Sequence, residues 1–127
     1  MRHIISLLIG YLFGTLNPAA LLSKIKKKDL RRVGTNNLGA TNVMLNFGKK
    51  YGALVLVLDM AKTVIACMIA RLAFPSSHTA TIVTGIGAIL GHIFPFYMKF
   101  KGGKGLAAFA GLVFAFDPLV FLIMLIV

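Results

Sequence analysis

Three stretches of this chain are too long and too apolar to rest in water. Residues 3–23 (HIISLLIGYLFGTLNPAALLS) are nearly free of charge, and similar runs follow at 52–70 and 79–97. About 20 residues at ~1.5 Å of helical rise cross the ~30 Å hydrocarbon layer of a bilayer. Each run is therefore predicted to be a membrane-spanning helix. The composition agrees, because 58% of the 127 residues are hydrophobic and a globule this small exposes too much of its surface to hide that area in water. A water-soluble domain is excluded. The first run exceeds the apolar core of a secretory signal and lacks a small-x-small cleavage site before the basic residues that follow, so it reads as a retained helix.

Asp117 would fall mid-way along a single helix over 106–127, where a carboxylate costs roughly 2.5–3.5 kcal/mol on insertion scales. Asp followed by Pro instead makes an N-cap and the residue favoured at a first helical position. Helices are thus expected at 105–116 and 118–127, the second incomplete at Val127. The expected fold is all-α: a polytopic integral membrane helical bundle in one domain, 1–127, with about four transmembrane helices plus the start of a fifth. Residues 71–78 (RLAFPSSH) form a turn, and 24–51 and 98–105 are polar loops. Gly10 with Gly14, and Gly87 with Gly91, have the G-x-x-x-G spacing that lets membrane helices approach closely.

Fourteen Lys and Arg stand against three Asp and no Glu, a formal net charge of +11. The charge asks for an anionic partner, and no nucleic acid is expected. Anionic headgroups attract a juxtamembrane Lys or Arg by about 1 kcal/mol each, so charge alone does not separate a lipid surface from an anionic ligand. Position says more. Lys24, Lys26, Lys27, Lys28, Arg31, Arg32, Lys49 and Lys50 lie in the first loop and Lys99, Lys101 and Lys104 in the third, against Arg2 and Arg71 on the other side. Lys/Arg-rich short loops stay cytoplasmic, which places both polar loops on the cytoplasmic face and the amino terminus outside. The one cysteine, Cys67, sits in an apolar run and implies no disulfide framework.

A topological anchor needs only the basic residues, but the first loop continues as Gly34-Thr35-Asn36-Asn37-Leu38-Gly39-Ala40-Thr41-Asn42. Glycines let backbone amides turn toward one point while Asn and Thr add neutral donors, which suits a phosphate. The third loop offers Lys101-Gly102-Gly103-Lys104-Gly105, again amides with ammonium groups. It is not a P-loop, since Gly105 follows Lys104 where Ser or Thr is required and Met98 replaces the first glycine. The residues five after His3, His78 and His92 are Leu8, Val83 and Tyr97, which excludes the His-x4-Asp acyltransferases. The scattered His, Cys and Asp match no zinc spacing and no Ser-His-acid arrangement. Asp59 and Lys62, three apart on one helical face, neutralise each other, as a functional pair or as one that only orients the helix.

The stretches Gly14-Thr15 to Ser23-Lys24, Asp29-Leu30-Arg31, Gly34 to Asn42, Leu58-Asp59 with Lys62, Gly91-His92-x-Phe94-Pro95 and Phe100 to Gly105 together resemble the acyl-phosphate-dependent glycerol-3-phosphate acyltransferases of bacterial membranes, the PlsY family. The resemblance covers essentially the whole chain. It implies transfer of a fatty acyl group from acyl phosphate to glycerol 3-phosphate, giving lysophosphatidic acid and phosphate, at the cytoplasmic face of the bacterial plasma membrane and without metal or cofactor. Gly34-Thr35-Asn36-Asn37 stands where the family usually has Gly-Ser-Gly-Asn, Thr15 replaces a usual Ser, and the usual Pro near 17 is Pro18. The family's third polar segment has no counterpart, so the chain is expected to lack a carboxyl-terminal third and to be inactive by itself.

The resemblance also suggests roles. Lys104, His92 and Thr35 are the catalytic candidates. Lys104 and Lys101, with the amides of Gly102 and Gly103, hold the departing phosphate. Lys24, Arg31, Asn37, Thr41 and Asn42 hold glycerol 3-phosphate, while Thr15 and Ser23 touch substrate oxygens. His92 is either a base or a cap that orients its loop. Lys27, in the solvated run, is expected to matter little. An acyl phosphate has a good leaving group, so positioning and phosphate stabilisation suffice. The alternatives are a non-enzymatic anionic-lipid-binding or anion-transport module, which leaves the ordered Gly/Asn/Thr run unexplained, and an inactive fragment of the acyltransferase.

Overall fold

A computed structural model describes all residues, 1–127. The chain folds into α1 (Arg2–Gly14), α2 (Pro18–Ile25), α3 (Ala40–Phe47), α4 (Lys49–Ala73), α5 (His78–Ile93), α6 (Leu106–Phe116) and α7 (Pro118–Ile126), with a 3-10 turn at Phe96–Met98. Arg2–Ile25, Lys49–Ala73 and His78–Met98 are long and apolar enough to cross a membrane, whereas Leu106–Phe116 is apolar but shorter. It is an all-α integral membrane bundle.

The helix expected over 3–23 is two helices. A proline has no N–H and pushes its predecessor out of helical backbone, so Asn17 is extended (φ −121°, ψ 100°) and its Oδ1 accepts from the Ala20 amide at 2.9 Å. That amide would otherwise bond the Leu16 carbonyl, which the break leaves free. α5 stops at Ile93 rather than 97 for the same reason: Phe94 precedes Pro95 and leaves the helix. The second span is three residues longer at each end than 52–70. Residues 24–51 are not a loop throughout, since Ala40–Phe47 form α3 and Gly48 (φ 100°) turns the chain into α4. At the carboxyl end Asp117 leaves the helix at φ −151°, and its Oδ1 accepts from the amides of Leu119 (2.9 Å) and Val120 (3.3 Å).

α1 and α5 pack through both glycine pairs. A Cβ on Gly10 or Gly14 would strike the backbone of Thr84 or Ala88, and one on Gly87 or Gly91 the carbonyl of Leu7 or Tyr11. Removing four side chains brings the two backbones into contact where lipid offers no hydrophobic drive for association. α4 lies across α1, α5 and α6. Beneath the first loop, Ala19, Leu30, Leu38, Val43 and Val55 form a buried apolar cluster, all at 2% exposure or less. That cluster seats the loop on α2, α3 and α4.

Candidate active site

Asn42 organises the first polar loop. Its Nδ2 lies 2.7, 3.1 and 2.9 Å from the carbonyls of Leu30, Val33 and Asn37, and its Oδ1 accepts from the Thr35 amide (3.0 Å) and Asn46 Nδ2 (2.9 Å). The side chain is fully buried. It was expected to hold glycerol 3-phosphate; its donors and acceptor are instead consumed by the loop itself. Gly34 turns at φ +59° against Asn42 Oδ1, and Asn36 occupies the same left-handed region, which Asn tolerates better than other side chains. Ser23 works similarly: its hydroxyl donates to the Lys28 carbonyl at 2.6 Å and accepts from the Leu30 amide at 3.1 Å. Thr35 is exposed on the loop, Thr41 is exposed in the first turn of α3, and Asn37 is half-buried.

The third loop is held by backbone. The Gly102 amide donates to the Ile93 carbonyl at 2.8 Å and that of Gly103 to the His92 carbonyl at 3.1 Å. Here too the structure corrects the expectation, because these amides are spent on the end of α5 and are not free for an anion. The glycines permit close approach. A Cβ on Gly102 would strike the His92 carbonyl, and one on Gly103 would run into the His92 ring and lie 2.7 Å from the Leu38 carbonyl. Gly103 therefore brings the third loop against the first. Lys101 and Lys104 on either side are exposed.

Below this junction lies a buried ionic cluster. Lys62 Nζ is 2.9 Å from Asp59 Oδ1, 2.7 Å from His92 Nδ1 and 2.7 Å from the Leu16 carbonyl, the one freed by the α1–α2 break. All three side chains are 5% exposed or less. Nearby, Thr15 donates its hydroxyl to the Leu12 carbonyl at 2.7 Å, and its own carbonyl accepts from the Tyr97 hydroxyl. Thr15 thus has no hydroxyl donor free for a substrate.

Between α2, α4, the first loop and the 3-10 turn opens a groove of about 960 Å³. Leu16, Leu21 and Leu58 form an apolar wall, while Lys24, Lys27, Lys28, Arg31 and Lys99 supply cations. Of the expected site residues, Ser23, Lys24 and Arg31 line it; Thr15, Thr35, Asn37, Thr41, Asn42, His92, Lys101, Gly102, Gly103 and Lys104 do not. The solvated reading of Lys27 also changes, because its side chain joins the wall. Asn17 was missed altogether. It lines the groove at 7% exposure, and its Nδ2 has no partner in the protein. Asn before Pro is a cap signal and marks the position, but only the fold shows that the amide nitrogen is left over.

The groove thus joins an apolar wall to a cationic rim on a membrane helical bundle. Residues 4–127 match the glycerol-3-phosphate acyltransferase family, and the chain belongs to that family. It is 42% identical over 118 residues to the glycerol-3-phosphate acyltransferase of Aquifex aeolicus, covering 93% of this chain and 62% of that protein. It is 40% identical over 126 residues to that of Thermoanaerobacter pseudethanolicus, covering 98% and 63%. Among solved structures it superposes on PlsY (YgiH), an integral membrane glycerol 3-phosphate acyltransferase, in its glycerol 3-phosphate form (TM-score 0.91, 40% identity, 100% of this chain and 64% of that one). The lysophosphatidic acid form gives a TM-score of 0.88 at 38% identity, with 100% and 63% covered. The chain therefore spans less than two thirds of the length of these relatives.

Proposed function

We propose that this protein transfers a fatty acyl group from acyl phosphate to the first hydroxyl of glycerol 3-phosphate, releasing lysophosphatidic acid and phosphate. The groove carries the reading, because it joins an apolar wall (Leu16, Leu21, Leu58) to a rim of five cations. One substrate has an acyl chain and a phosphate, the other a phosphate alone, and both parts find their chemistry there. The relatives named above support it. In the reaction the hydroxyl oxygen bonds to the acyl carbon, the carbon–oxygen bond to phosphate breaks, and the hydroxyl proton leaves with the products. No lining side chain is a strong nucleophile and the mixed anhydride needs none, so binding, orientation and charge stabilisation do the work.

In this reading Lys24 and Arg31, with Lys27, Lys28 and Lys99, hold phosphate in the groove, and Lys101 and Lys104 approach it from the third loop. Thr35, Asn37 and Thr41 form the outer surface of the same site. Asn42 and Ser23 shape it. The groove faces the cytoplasm of a bacterial plasma membrane, a placement supported by the crowding of Lys and Arg on the two polar loops. The test is release of inorganic phosphate from palmitoyl phosphate by the purified protein, with and without glycerol 3-phosphate. Release that depends on glycerol 3-phosphate and yields lysophosphatidic acid is expected; release that ignores it, or none, overturns the reading.

A further inference from the structure

Lys62 lies outside the groove, yet from α4 it reaches two other segments that shape the site, the α1–α2 break and the end of α5. Its ammonium has three N–H donors, and three acceptors surround it: the Leu16 carbonyl at 2.7 Å, Asp59 Oδ1 at 2.9 Å and His92 Nδ1 at 2.7 Å. The carbonyl and the carboxylate only accept. A charged Lys62 compensates the buried Asp59 carboxylate, and its three N–H bonds then match the three surrounding groups, so that it donates toward His92 as well. Nδ1 of His92 is then an acceptor. Its 3.5 Å separation from Asp59 Oδ1 is too long to compete. A neutral imidazole that accepts at Nδ1 carries its proton on Nε2, the edge that abuts Gly103.

We propose that Lys62 is a positioning residue of the acyl-transfer site, an inference that rests on the function proposed above. It pins the free Leu16 carbonyl at the α1–α2 break, and so the apolar end of the groove. It also holds His92 as the Nε2–H tautomer against the third loop. Both ring nitrogens are thereby committed, one accepting and one protonated, and His92 orients its loop rather than acting as a base.

Two charges removed together test this better than one. Lys62→Met alone strands the Asp59 carboxylate and is expected to destabilise the fold. Lys62→Met with Asp59→Asn removes both charges, and its melting temperature in detergent should return to within a few degrees of the parent. Its kcat for acyl transfer from palmitoyl phosphate should stay at least tenfold low, with KM changed less than about threefold because Lys24 and Arg31 remain. A double variant that regains both stability and kcat overturns the positioning role. Independently of turnover, ¹⁵N spectra of histidine-labelled parent at neutral pH should place the His92 proton on Nε2; a proton on Nδ1 overturns the proposal. If the parent transfers no acyl group, the function fails on its own account, and these spectra still decide what Lys62 does to His92.

Discussion

The two polar loops are alike in composition and opposite in construction. The first is knitted by side chains as well as by short main-chain turns: Asn42 and Ser23 satisfy the backbone groups that those turns leave over. The third is knitted by main chain, with Gly102 and Gly103 bonded directly to the end of α5. Each device leaves different groups over. In the first loop Lys24, Lys27, Lys28 and Arg31 line the groove; of the third loop's cations only Lys99 does, while Lys101 and Lys104 flank a clamped glycine pair and stand exposed. The lesson is that a Gly/Asn/Lys-rich stretch can spend its polar groups inwardly and leave its cations to line the groove.

The sharpest way to break this comparison is Asn42→Ala, which strands the buried Leu30 carbonyl and the part-buried Asn37 carbonyl and Thr35 amide, and leaves Val33 only its bond from the Asn36 amide. Unmet buried polar groups cost about 1–3 kcal/mol each. Water reaching part of the opened loop offsets some of this, and a net loss of about 3–5 kcal/mol is expected, read as a lowered melting temperature and new protease cleavage within 24–48. A variant as stable as the parent would mean that the loop does not depend on its side chains. Gly103→Val attacks the other loop. Its side chain meets the Leu38 carbonyl and the His92 ring, an overpacking worth up to about 3 kcal/mol. Protease cleavage should appear within the third loop while 24–48 stays resistant.

How far these differences were legible beforehand depends on what each signal measures. The spans declared themselves because lipid demands long uncharged runs, and Asp117-Pro118 declared its break because a charge in mid-helix is costly. Asn17-Pro18 is the same cap signal, but with an uncharged cap inside an apolar run nothing demanded a break. α3 was hidden because Ala40–Phe47 begins with the Thr and Asn of a loop, and its helix forms by seating Val43 on the buried cluster. The site was harder. An Asn that holds a loop and an Asn that holds a ligand use the same donors, and Gly-Gly reads equally as an anion cradle and as a close approach. Only tertiary contact separates these cases, which is why Lys24 and Arg31 line the groove while Asn42 and Gly103 turned inward.

Whether the loops feed one site is the next question. Arg31→Ala removes a cation of the groove, and Lys104→Ala one from the clamped loop. A charge-assisted hydrogen bond is worth roughly 1.5–3 kcal/mol, so each change should lower kcat/KM by about tenfold or more, with Arg31 the larger. Lys26→Ala is the control, its ammonium lying 4.6 Å from the centre of the Tyr51 ring and outside the groove lining, and should stay within about twofold. Full activity in the Lys104 variant would separate the two loops functionally.

The smallest effect concerns the apolar end. Among the groove residues Asn17 has a buried polar atom with no protein partner, since Oδ1 caps α2 while Nδ2 bonds nothing. A buried donor left unmet costs free energy, and a ligand oxygen in the groove would recover it. Asn17 lies seven residues before Lys24, which along α2 is about 10 Å at ~1.5 Å per residue, and its near neighbours in the lining are Leu16, Leu21 and Leu58. On the function proposed above, the oxygen expected within its reach is that of the acyl donor rather than of glycerol 3-phosphate. Asn17→Ser keeps a good N-cap and removes the amide donor. One neutral hydrogen bond is worth about 0.5–1.5 kcal/mol, so kcat/KM for palmitoyl phosphate should fall about three- to tenfold, with KM for glycerol 3-phosphate and the melting temperature nearly unchanged. An unaltered kcat/KM would assign Asn17 to the cap alone; a rise confined to the KM for glycerol 3-phosphate would move the acceptor's phosphate to the apolar end of the groove.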